Sequence, residues 1–279
     1  MAQAFAQTFR RLAVVGCMGG AGVAAGCAPA VSTQQEVQLG ADYSRQINQQ
    51  MPMLNDQATV NYVNQIGQQI AQIADPRGIR YHFYVVNSDV VNAFALPGGY
   101  VYINRGIIER ADNVSELAGV LAHEVGHVAE RHSIEQLQRA QNANLGLNVL
   151  YGVLLGRNPS GVEQAGIQVG GSAVFAGYTR DAEREADAVA VGYLMRAGYS
   201  PNGLPSFFQE LLELQQRQPG RVQQWFATHP TTQERVANTQ AAIARTPGAN
   251  ASNLVTDTRA FQNIRARVAS LPAPADRRR

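Results

Sequence analysis

Two histidines four residues apart, with a glutamate beside the first, make His123-Glu124-Val125-Gly126-His127 the stretch of this chain best suited to chemistry. On a helix of 3.6 residues per turn, positions four apart lie about 40° apart around the axis and one turn along. Both imidazoles therefore reach one metal ion. Glu124, about 100° from His123, stands beside that metal without having to ligate it. Two neutral imidazoles and a free carboxylate suit zinc-assisted hydrolysis, which needs a Lewis acid and a base for the proton of the attacking water. Two surface histidines would show the same spacing, so a third ligand downstream is what separates the readings.

The segment Tyr178 to Asp187 offers four acids, and helix geometry ranks them. Ala186, Ala190, Leu194 and Ala197 trace a small-residue stripe at three- and four-residue steps. Glu183 and Asp187 extend that stripe; Asp181 and Glu185 point elsewhere. A carboxylate on a buried stripe is costly without a cationic partner, and zinc would be that partner for Glu183. The result is two His and one Glu, with a fourth position open for water. Asp187, one turn on, is placed to accept the free ring N–H of a ligating His and fix its tautomer. The competing reading of this segment is an exposed Arg/Glu helix face.

Glu116 to His132 reads as one amphipathic helix that carries the two histidines, with Asn113 and Glu116 as a capping-box pattern. Leu117, Val120, Leu121 and Val128 supply its buried stripe. His132 falls about 180° around the axis from His123 and is read as surface or helix packing, outside the metal set. Upstream, the apolar spacing over 36–74 predicts two helices broken near Met51-Pro52. Tyr81–Val86 and Gly99–Ile103 read as strands. Between them Asn92–Gly99 forms a glycine-containing hairpin, whose glycines either make the turn or admit another backbone. A functional reading adds an edge strand over Leu96, Pro97, Gly98, Gly99, Tyr100 and Val101 that pairs with an extended substrate. Residues 141–178, low in charge and rich in Gly and Ala, read as a packed helix–loop–helix or as a mobile cover for the site.

Of 279 residues, 45% are hydrophobic and 16% charged, a globular composition. Arg10 and Arg11 are the only charges in the first 26 residues. Removing these two from 23 basic groups leaves 21, balanced by 21 acidic ones, so nothing suggests a nucleic-acid partner. Arg10-Arg11, the apolar run from Leu12 to Ala25 and the small residues before Cys27 make a signal peptide over 1–26. About 14 apolar residues are too few to span a bilayer. The site resembles a bacterial lipobox with Cys27 as the lipidated residue, although Ala24 stands where Leu is usual; plain cleavage near Ala28 or Ala30 is the alternative. Both cysteines lie in this region, which excludes a disulfide, a thiol nucleophile and Cys ligation of zinc from the mature chain.

HEVGH followed by Glu183-Arg184-Glu185-Ala186-Asp187 resembles the gluzincin family of the HtpX/BepA-type zinc metallopeptidases, relatives of the CAAX prenyl proteases. Asn92–Gly106 is similar to its strand element, and His229-Pro230-Thr231-Thr232-Gln233-Glu234-Arg235 to its His-Pro…Arg motif. The likeness covers most of residues 40–245 and is greatest to periplasmic lipoprotein members. It implies a mainly helical α+β, zincin-type domain with a small sheet beside the HExxH helix. By position it implies one zinc per chain on His123, His127 and Glu183, with Glu124 as general base. His229 and Arg235 are implied near the substrate, where they could donate to the oxyanion. The organisation expected is a signal peptide (1–26), a tether (27–40), a metallopeptidase domain (41–245) and a C-terminal linker, helix and basic tail (246–279). The expected function is endopeptidase action on misfolded or misassembled envelope proteins, from an outer-membrane lipid anchor at Cys27 facing the periplasm. A zinc-containing chaperone for outer-membrane proteins with marginal proteolysis is the alternative. An intact Glu124 favours the enzyme, because a structural zinc needs no base.

Overall fold

The computed structural model describes residues 31–142 and 177–272. The signal peptide, Cys27, nearly all of the 141–178 segment and the basic tail lie outside them. Among the described residues no helix is long and apolar enough to cross a membrane.

Two helices open the described residues, α1 (Thr33–Gln50) and α2 (Gln57–Ala74). Ser32 caps α1 through a reciprocal capping box with Gln35, and Asp56 caps α2 through the Thr59 N–H. Three strands follow, β1 (His82–Val86), β2 (Ala93–Leu96) and β3 (Tyr100–Asn104), in the spatial order β1-β3-β2. β3 pairs with β1 in parallel and with β2 antiparallel, so it is hydrogen-bonded on both sides.

That order corrects the expected substrate strand. Tyr100 and Val101 belong to central β3 and have no free edge to offer. Pro97, Gly98 and Gly99 form the β2–β3 turn, with φ of 73° at Gly98 and 93° at Gly99. The turn is packed under α1: the Gly98 N–H donates to Glu36 Oε1 at 3.2 Å, and a Cβ on Gly98 would lie 2.5 Å from Val37 Cα. Both readings of these glycines are thus met, a turn and a close backbone approach. Only Leu96 of the expected set lies on β2, the edge strand. The Asn104 N–H to Asn92 O bond (2.9 Å) sets the ladder phase. Phe94 and Leu96 bond to β3, and Ala93 and Ala95 turn their backbone groups to the outer side.

A short helix α3 (Arg105–Arg110) leads into the central α4 (Val114–Ala129). Every residue of α4 from Val114 to Val128 is buried, because α2, the sheet, α6 and α7 surround it. The amphipathic expectation fails here: a helix enclosed on all sides has no solvent face to mark. Its fully buried Leu117 and Leu121 each contribute about 1.5–3 kcal/mol of burial. Asn113 Oδ1 accepts the Glu116 N–H at 3.2 Å, while the Glu116 carboxylate accepts the Asp112 N–H at 2.8 Å and the Ser206 hydroxyl at 2.7 Å. The helix stops before His132. Arg131 adopts φ 62°, the one positive-φ non-glycine among the described residues, and its Nε donates to Glu36 Oε2 at 2.8 Å. That ion pair holds a conformation costing about 1–2 kcal/mol. His132 then opens a new helix, α5 (His132–Asn142).

The remaining helices among the described residues are α6 (Arg180–Arg196), α7 (Gly203–Arg217), α8 (Pro219–Thr228), α9 (Gln233–Arg245) and α10 (Arg259–Ser270). Gly126 lets α6 come close to α4, since a Cβ there would sit 3.1 Å from Val189 Cγ2 and 3.4 Å from Ala186 Cα. Phe261 and Val268 of α10 are fully buried in the same core as α2 and α4, so the C-terminal helix is part of that packed body.

Candidate metal centre

His123 and His127 lie one turn apart on α4, and Glu183 is presented by the first turn of α6 across the Gly126 contact. The two Nε2 atoms are 3.0 Å apart, and His127 Nε2 is 3.3 Å from Glu183 Oε1. A fourth donor joins them. His229, at the C-terminal cap of α8, brings Nδ1 to 3.4 Å from His123 Nε2 and 3.0 Å from Glu183 Oε1. One donor atom from each of these four residues falls within 4.8 Å of the others, and all four side chains are buried. A tetrahedral zinc with bonds of about 2.1 Å has donor–donor edges of about 3.4 Å, which is the scale of these separations. Three imidazoles and a carboxylate are also a zinc donor set by chemistry. Zinc fits.

The open fourth position expected from the sequence is therefore filled by His229. The loop carrying His229 is held firmly. Its N–H donates to Trp225 O at 2.7 Å, and Thr231 accepts the Trp225 Nε1–H at 3.0 Å while donating to His229 O at 3.2 Å.

Glu124 stands beside the cluster with both carboxylate oxygens buried and without a hydrogen bond, and His229 Nε2 is in the same condition 3.4 Å away. Complete burial pushes the Glu124 carboxyl above its ordinary range, against the pull of His229 and His123. Burial likewise drives His127 well below the ordinary imidazole value, which keeps a lone pair free for a metal. Burial would raise Glu183 too, but His229, Arg235 and the hydrogen bonds it accepts outweigh this and hold it well below the carboxylate range. His229 is lowered by burial and, more strongly, raised by Glu183 and Glu124.

Behind the donors lies Arg235, the cation expected near the substrate. Arg235 Nε and Nη2 grip Asp187 Oδ2 and Oδ1 at 2.8 and 2.7 Å, and Nη1 reaches Glu183 Oε2 at 2.5 Å and Pro230 O at 3.3 Å. Its Cζ sits 4.5 Å over the Phe208 ring. These contacts occupy the guanidinium with the acids that back the cluster. Asp187 Oδ1 in turn comes within 3.0 Å of His123 Nδ1, a close approach outside hydrogen-bond geometry.

Two neighbours were missed. The Tyr178 ring stacks on His127 at 3.7 Å and 11°, and its hydroxyl is 2.8 Å from Ser133 Oγ. His132, read as surface or packing, is 3% exposed, with Nδ1 2.9 Å from His127 Nδ1. Extending α4's helical phase to residue 132 put it on the far side; the turn at Arg131 folds it back. No sequence signal marks a non-glycine residue for that conformation.

A model of peptidase family M48 matches residues 57–243. The chain is 33% identical over 213 residues to the beta-barrel assembly-enhancing protease of Escherichia coli O157:H7, covering 75% of this chain and 44% of that protein. It is 32% identical over 190 residues to metalloprotease YcaL of Escherichia coli K12, covering 64% of this chain and 70% of YcaL. Mitochondrial metalloendopeptidase OMA1 of Schizosaccharomyces pombe is 27% identical over 180 residues, with 64% and 51% covered. The chain thus spans less than half the length of the beta-barrel assembly-enhancing protease it matches.

Proposed function

Since the chain belongs to peptidase family M48, we propose that it is a zinc-dependent endopeptidase cutting unfolded or misassembled proteins of the bacterial cell envelope. The observation that carries this reading is the buried set His123, His127, Glu183 and His229 with the Glu124 carboxylate, free of hydrogen bonds, beside it. When bound, zinc supplies a Lewis acid that polarises the scissile carbonyl and makes water more acidic. Glu124 takes the proton of the attacking water and returns it to the leaving amine. Asp187, braced by Arg235 and 3.0 Å from His123 Nδ1, is placed to accept that ring's N–H once the two align. His229 must leave its donor position before water and substrate enter, because a catalytic centre keeps one position open. Once displaced, its ring N–H can donate to the developing oxyanion.

An extended substrate would pair with the outer side of β2, at the backbone groups of Ala93 and Ala95, which are buried here and must first be uncovered. The name of one bacterial relative, beta-barrel assembly-enhancing protease, supports action on envelope proteins, and the leader over 1–26 followed by Cys27 supports a lipid anchor at the outer membrane. A second reading has one observation in its favour. Four protein donors around one point make a closed, structural-type centre, which suits a zinc-containing assembly factor with latent proteolysis.

The test is cleavage of casein by the purified protein beside Glu124→Gln, with zinc counted in both. About one zinc in each and cleavage by the wild type alone is the expected result. Zinc in both with no cleavage moves the assembly-factor reading ahead. No zinc in either overturns both readings.

A further inference from the structure

We propose that His132 is a positioning residue for the metal centre, which sets the tautomer and the ring orientation of His127 and is itself set by Glu185. The inference rests on the reading of His127 as a metal ligand.

Its basis is a chain of three side chains running outward from the centre. His127 turns Nε2 to the donor cluster and Nδ1 away from it, and that Nδ1 lies 2.9 Å from His132 Nδ1. His132 Nε2 lies 3.3 Å from Glu185 Oε2. Two ring nitrogens at 2.9 Å share one proton: with none they repel through their lone pairs, and with two the N–H groups collide. When His127 Nε2 gives its lone pair to a metal, a neutral imidazole must carry its proton on Nδ1. His132 Nδ1 must then be the acceptor. Its own proton is thereby assigned to Nε2, where the Glu185 carboxylate accepts it. One choice at the metal fixes every proton in the row.

The arrangement is built rather than incidental. His132 is only 3% exposed, whereas the Glu185 side chain is 57% exposed, so the row runs from the buried centre to the surface. Tyr178 covers one face of His127, and its hydroxyl contacts Ser133, the residue after His132. That contact ties the start of α5 to the ring it supports. The two ligating histidines consequently have unlike supports. His123 faces Asp187, a buried carboxylate gripped by Arg235; His127 faces an imidazole.

Removing the acceptor leaves a buried His127 Nδ1–H without a partner and its ring free to turn, and outer supports of this kind change metal affinity by about 10–100-fold. The test is zinc affinity by chelator competition for the wild type, His132→Leu and His132→Asn. Asn places Oδ1 the same number of bonds from Cα as His Nδ1, so it keeps the acceptor and loses the imidazole. Expected are a dissociation constant raised about 10–100-fold in the Leu variant and rescue to within about threefold of wild type by Asn. A role in packing alone would not favour Asn over Leu. Unchanged affinity in a folded His132→Leu, or equal losses in Leu and Asn, overturns the proposal while leaving the zinc site standing. Histidine ¹⁵N spectra of the zinc-loaded wild type decide the matter even if the Leu variant does not fold. A His132 proton on Nε2 supports the proposal, and one on Nδ1 overturns it. A wild type that holds no zinc overturns this inference and the metal reading together.

Discussion

Arg235→Met separates the place a motif suggests for Arg235 from the place the structure gives it. One guanidinium, 5% exposed, holds two buried carboxylates: Asp187 through two bonds of 2.7 and 2.8 Å, and Glu183 at 2.5 Å. Removing one partner of a buried ion pair costs about 3–5 kcal/mol, because the other charge is left without compensation. In the metal-free protein Asp187 loses its cation and Glu183 is left with His229 alone, which keeps the loss near the middle of that range. In the zinc-loaded protein Glu183 retains a cation, so only Asp187 is abandoned and about half the loss is expected. By linkage the difference, about 2 kcal/mol, is affinity: the variant binds zinc about 30-fold more tightly than the wild type while being less stable. The assay is urea unfolding of both proteins with and without zinc, followed by chelator competition. Equal losses with and without zinc would refute the reasoning. So would a metal-free loss below about 1 kcal/mol accompanied by a fall in kcat/KM, which would put the guanidinium on the substrate instead.

Glu124→Gln should lower casein cleavage by about 10²–10⁴-fold with zinc content unchanged; loss of zinc in that variant would make Glu124 a ligand. His229→Ala leaves His123, His127 and Glu183, so about one zinc per chain should remain, with a faster rate of casein cleavage from the opened position. A slower rate would make its oxyanion contact outweigh its blocking. Gly98→Ala puts a Cβ at φ 73° and 2.5 Å from Val37 Cα, and should cost more than about 1 kcal/mol in denaturant unfolding as α1 is pushed from the turn. Glu210, half-buried with Oε2 unpaired, is pushed up to about 7 by burial and by Glu116 and Asp112. A carboxyl raised in the folded state favours folding below its unfolded value of 4.5, and that contribution is lost as pH rises toward 7. Glu210→Gln should therefore be more stable than wild type at pH 8 by about 1 kcal/mol, a figure reduced for its exposure, and equal to it at pH 4. Thermal unfolding across that range reads the crossover.

The metal site was legible where it depends on helix periodicity. His123 and His127 meet because four residues make one turn, and Glu183 and Asp187 share a face of α6 for the same reason. Caps were legible too, since Asn113 acts on the backbone three residues away. The first two described helices and the strand runs of β1 and β3 followed from apolar spacing and the Met51-Pro52 break. Each of these is a local relation, complete within a few residues of chain.

What escaped the sequence depends on what packs against what. Arg131 leaves helical geometry where its side chain meets Glu36, far away in the chain, and His132 turns inward just after it. β3 is central because β1 reaches it in parallel after an intervening strand, a topology that alternating residues do not encode. Composition could not announce that α4 is buried on every face, since burial belongs to its neighbours. Spacing likewise could not say where the His-Pro motif lies; Trp225 and Thr231 hold His229 beside His123 and Glu183. The sequence by itself determined the identity of the donors on α4 and α6 and the chemistry they suit. Only the tertiary structure decided the fourth donor and the side chains that hold the others in place, because those are set by contacts between segments whose separation along the chain carries no periodic signal.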